Sequence, residues 1–83
     1  MANQAQVEAD RQAVIDEITA NGGSMEYLDL YNNLNASGNG MATAQIRPMR
    51  DAGLIEMQLK TRSDGTFSHR VGLPGTVKGQ PLP

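Results

Sequence analysis

The residues of this chain that could do chemistry are few, and their types narrow the chemistry quickly. There is no cysteine, so neither a thiol nucleophile nor a thiolate metal site can be built, and His69 is the single imidazole. The adjacent carboxylates Asp16 and Glu17 fall on the polar side of a helical pattern, Ser24 and Ser37 have no base in any recognisable spacing, and no glycine cluster matches a phosphate loop. Nothing here assembles an acid–base pair, a nucleophile with its base, or a metal cage, so the sequence reads as a non-enzyme that carries no cofactor and no metal. What remains is a set of donors: Arg47, Arg50, Lys60, Arg62 and Arg70, with Thr43 and Gln45 close to the first two. Guanidinium and ammonium groups pair with phosphate oxygens, and a guanidinium also matches the two acceptors on the major-groove edge of guanine.

The charge distribution gives these donors a setting. The 83 residues carry a formal charge of −2, but residues 1–36 hold six acids against Arg11 alone, and residues 37–83 hold six bases against Asp51, Glu56 and Asp64. The first part is thus about −5 and the second about +3, an asymmetry of the kind that marks interaction surfaces. No apolar run approaches the roughly 20 residues of a membrane span, and the start MANQAQVEADRQ has neither the basic opening nor the apolar stretch of a signal peptide. The expectation is a soluble cytoplasmic chain with no membrane partner.

The elements that must position the donors follow from periodicity. Val7, Val14, Ile15 and Ile18 recur at helical spacing, and Asn21-Gly22-Gly23 marks the end of this first helix. Ser24 is the expected cap of a second, short helix with the stripe Tyr27, Leu28, Tyr31 and Leu34. Its end meets the turn-forming run Asn35–Gly40. Ala42, Ile46 and Met49 anchor a third helix that must stop near Gly53, with Thr43 as its expected cap. Pro48 lacks an N–H and crowds the turn before it, so the spacing predicts either a kink or a late start with a loosened first turn.

From Leu54 the period changes to two. Ile55, Met57 and Leu59 alternate with Glu56, Gln58 and Lys60, and Phe67, His69, Val71 and Leu73 alternate with Ser68, Arg70 and Gly72. Asp64-Gly65 between them signals a hairpin. A two-residue loop would split the apolar side chains between faces, whereas an odd-length loop sets Leu59 opposite Val71 or His69 and keeps them together, with Gly65 in a left-handed bulge position. On this alternation His69 should be partly buried and hydrogen-bonded, and the aromatics Tyr27, Tyr31 and Phe67 should serve the core. Residues 1–73 then form one domain, followed by a flexible Pro/Gly-rich tail at 74–83.

The order helix, helix, turn, helix, hairpin implies an α+β winged helix-turn-helix: three helices followed by a two-stranded β-hairpin wing. The segment Met41–Ile55 resembles the third helix and first wing strand of MarR-type and ArsR-type transcription regulators, whose apolar residues precede a Gly-Leu-Ile step by four, seven and eleven positions, here Met49, Ile46 and Ala42. It departs from them in a longer turn before the third helix, in Pro48, and in the lack of the terminal helices through which the MarR type dimerises. The resemblance implies duplex DNA binding by a small regulator, monomeric or weakly dimeric, with the third helix in the major groove and the wing on the backbone or in the minor groove. The residues that would carry it are Thr43, Ala44, Gln45, Arg47 and Arg50 on the helix and Lys60, Arg62 and Arg70 on the wing, Arg47 being the base reader. The rival expectation is a winged-helix module that never touches DNA and docks a protein through Glu8, Asp10, Asp16 and Glu17 of the acidic first helix.

Overall fold

A computed structural model describes residues 4–76 and 80–81 of the chain. It is a small α+β structure with three α-helices and an antiparallel sheet of three strands, edged by a two-residue fourth. Helix α1 spans Gln4–Ala20 and buries Val14 and Ile18, while Val7 and Ile15, the other members of its apolar stripe, stay partly exposed. It stops where the sequence places its stop: the amides of Gly22 and Gly23 turn back onto the carbonyls of Thr19 and Ile18 at 3.1 and 3.0 Å.

The chain then departs from the expectation. Ser24–Glu26 is a strand, β1, and helix α2 begins only at Tyr27 and runs to Ala36. The cap position of α2 is Glu26, in an extended conformation and without a side-chain capping bond, so Ser24 is not the cap. A polar–apolar–polar triplet is too short to show a period of two, which is why the strand is invisible in sequence. Its physical basis is clear in space: Met25, 5% exposed, sits opposite Val71 on the core face of the sheet. The burial stripe of α2 is also rotated from the one expected. Leu30 and Leu34 are buried and Tyr27 packs at their margin, whereas Leu28 and Tyr31 are 63% and 43% exposed.

Gly40–Gln45 forms a 3₁₀ segment and the α-helical part, α3, covers Ile46–Asp51. This is the late start that Pro48 demands. Pro48 is the third residue of α3, where a backbone N–H has no partner inside the helix, so the proline removes a donor that the helix does not use. Thr43 does not cap it; its hydroxyl donates to the carbonyl of Gly40 at 2.7 Å within the 3₁₀ turn. Ala42, Ile46 and Met49 are buried as their spacing requires, and the helix closes with Gly53 at a φ of +77° and the Leu54 amide on the Met49 carbonyl.

Strands β2 (Glu56–Thr61) and β3 (Phe67–Gly72) make the hairpin, with Leu59 opposite His69. Arg62 and Thr66 close a three-residue loop, the Gly65 amide bonds the Arg62 carbonyl at 3.0 Å, and Gly65 has a φ of +86°. The loop is odd-numbered with glycine in the left-handed position, as the pairing of apolar side chains requires. The two-stranded wing is nevertheless a correction: β1 adds to β3, giving the order β1-β3-β2, and the residue pair Gln80–Pro81 (β4) adds to the outer edge of β2. Met25, Val71 and Met57 line up across the sheet and face a core of Val14, Ile18, Leu30, Leu34, Ala42, Ile46, Met49 and Ile55. His69 lies two pairs beyond this alignment, toward the hairpin tip, and it is exposed rather than partly buried. Its ring forms no hydrogen bond among the described residues, which corrects the second half of that expectation.

Candidate nucleic-acid interface

The buried edge of the third helix fixes what its other side presents. With Ala42, Ile46 and Met49 held in the core, Ala44, Arg47, Pro48, Arg50 and Asp51 are exposed and Thr43 and Gln45 are half-buried. Arg47 extends from this outer side, and among the described residues no hydrogen bond or ion pair holds its guanidinium. The other described arginines are all engaged. Arg50 folds onto its neighbour, Nε and Nη2 reaching one carboxylate oxygen of Asp51 at 3.2 and 3.1 Å. Arg11, on α1, donates from Nε to Gln45 Oε1 at 3.2 Å.

The last contact changes the role available to Gln45. An amide that reads adenine uses its oxygen and its nitrogen together, and here the oxygen already accepts from α1. Gln45 therefore ties the junction between the 3₁₀ turn and α3 to the first helix. Thr43 is likewise spent as a donor, on the Gly40 carbonyl. Of the five helix residues singled out from sequence, Arg47 and Ala44 form the open surface, Arg50 borders it as part of an ion pair, and Thr43 and Gln45 brace the backbone beneath.

On the hairpin, Arg62 and Arg70 both turn toward β1. Arg62 places Nη2 at 2.9 Å and Nε at 3.2 Å from Glu26 Oε1, and it also donates to the Thr66 hydroxyl. Arg70, opposite Glu26 in the ladder, donates to Ser24 Oγ at 3.1 Å. Asp64 at the tip accepts from the Thr66 hydroxyl at 2.6 Å and the Thr66 amide at 3.0 Å. These two bonds, the hydroxyl first and the amide after it, with the nearby Arg62 charge, hold its carboxyl below the ordinary carboxylate value. The tip thus carries a fixed negative charge beside a fixed positive one. The side chain of Lys60 lies outside the described set.

Three residues that organise this surface were not among those picked from sequence. Ser24 and Glu26 hold the hairpin cations because β1 exists, and a three-residue strand leaves no periodic signal. Arg11 braces Gln45 across 34 positions of chain, a separation at which sequence spacing is silent. No family model, curated protein or solved structure matches the chain.

Proposed function

We propose that this chain is a small winged helix-turn-helix domain that binds duplex DNA, with α3 in the major groove and the β2–β3 hairpin as the wing on the backbone or in the minor groove. Its role on this reading is local control of transcription. The observation that carries the proposal is the state of Arg47: on the exposed side of the third helix, it has no protein partner among the described residues, whereas the other described arginines each have one. A guanidinium kept open on a helix braced from behind is suited to a bidentate contact with guanine, worth about 1–3 kcal/mol of discrimination.

Two further features support the reading. The third strand between the first two helices suits a winged helix, because it ties the hairpin base to the helical core. The ion pairs on Arg50 and Arg62 are exposed, and such pairs contribute only about 0–1 kcal/mol, so a phosphate can replace the carboxylate at small cost. The overall charge of −2 sets an expectation as well: binding should be modest and confined to the face formed by the second half of the chain.

The test is a titration with a random-sequence duplex at low salt, followed by backbone amide shifts. Shifts grouped at residues 43–51 and 60–70, an affinity that falls steeply with salt, and a roughly 5- to 100-fold loss in Arg47→Ala on a preferred site are the expected results. A spectrum unmoved at these residues overturns the proposal.

A further inference from the structure

A second surface lies along α1, apart from Arg47 and the hairpin. Ala9, Gln12, Ala13, Asp16 and Glu17 of α1 face Leu34, Ser37 and Asn39 at the end of α2, and between them runs an open groove of about 520 Å³. Its floor is apolar and low, made by Ala9, Ala13 and the edge of Leu34, and its rim carries two carboxylates and no cation. Small side chains on a helix allow another backbone to approach closely, and the α1 side of the groove spans somewhat more than two helical turns, about 12 Å.

The charge around this groove is uncompensated. Every carboxylate of α1 is hydrogen-bonded to a neutral amide: Glu8 to Gln4, Asp10 to Gln6, Asp16 to Gln12, and Glu17 to both Asn21 and Asn33. The ion pairs among the described residues, Arg50–Asp51 and Arg62–Glu26, lie elsewhere, and the one base of α1, Arg11, is turned to Gln45. Amides fix the carboxylates in place without cancelling their charge, so the groove presents an ordered negative rim over an apolar floor.

We propose that this groove docks a basic amphipathic helix of a partner protein. Small apolar side chains of the partner settle on Ala9, Ala13 and Leu34, and its Lys or Arg side chains reach Asp16 and Glu17. The proposal is independent of the DNA reading, since it uses none of the residues of α3 or the hairpin.

The experiment uses the full chain and two synthetic peptides of equal composition: a Lys/Ala/Leu helix with its cations on one face, and a scrambled version with no such face. The amphipathic peptide is expected to move the amides of Ala9, Ala13, Asp16, Leu34 and Asn39, and to bind at least tenfold more tightly than the scrambled one. The double variant D16K/E17K should weaken it tenfold or more. Ala9→Tyr, which fills the groove at an exposed position and leaves the charge alone, should do the same with an unchanged circular dichroism spectrum. Equal affinity for both peptides, shifts spread over Glu8, Asp10, Glu26 and Asp29, an unaltered affinity in Ala9→Tyr, or no binding would each overturn it.

Discussion

Glu26 and Arg62 are 36 positions apart in the chain and 2.9 Å apart in space, and they set a competition that a duplex would enter. If the hairpin contacts phosphate, Glu26 is a rival for the same guanidinium. Glu26→Gln should then raise affinity for DNA and steepen its salt dependence by up to about one ion, read from affinities at several salt concentrations. Stability should fall by less than about 1 kcal/mol, because the two side chains are 45% and 31% exposed and their attraction is screened. Asp64 gives a separate pH signature. Its carboxyl is lowered by the Thr66 hydroxyl and amide, so the stabilisation it contributes is present above the ordinary value of about 3.9 and is lost as pH falls through the lower folded value. Asp64→Asn should flatten the acid limb of hairpin stability, followed through the Thr66 amide resonance between neutral pH and the acid range. The cations themselves were legible from sequence; their partners were not, because Ser24, Glu26 and Arg11 reach them only through the fold.

At the level of elements, the strongest sequence signals survived and the weakest failed for visible reasons. The end of α1, the anchors of α3, its late start before Pro48, and the odd hairpin loop were all fixed by local rules acting on several residues at once. The stripe of α2 failed because Leu28, Leu30, Tyr31 and Leu34 allow more than one apolar face on a ten-residue helix, and only tertiary packing selects Leu30 and Leu34. Pro48 offers a test of this account. As the third residue of α3 it deletes no helical hydrogen bond, so Pro48→Ala should change stability by less than about 1 kcal/mol in urea denaturation; a gain near 3 kcal/mol would mean the proline strains a helix interior. Ile46→Ala, which empties a fully buried position where the 3₁₀ turn passes into α3, should cost about 2–5 kcal/mol by the same measurement.

Across the whole molecule, charge and shape divide the labour. The acidic first helix and the more basic second half share one core, in which ten of the described residues are buried and apolar, so both surfaces depend on the same small reserve of stability. No described helix is long and apolar enough to cross a membrane. The segment beyond β3 is held at several described points: the Leu73 amide and the Thr76 hydroxyl both reach the Gly23 carbonyl, at 2.9 and 2.7 Å, and Gln80–Pro81 pairs with β2. Thr76→Val should therefore cost no more than about 1 kcal/mol in thermal denaturation, and a larger loss would show that the tail belongs to the cooperative unit. The contact between Arg62 and Glu26 has one more consequence, for entropy. A hairpin tip fastened to the start of α2 has already given up much of its freedom before anything binds, so the ordering penalty of association is reduced in advance. The backbone order parameters of residues 63–66 should then approach those of the strands, and fall toward loop values when Glu26 is replaced.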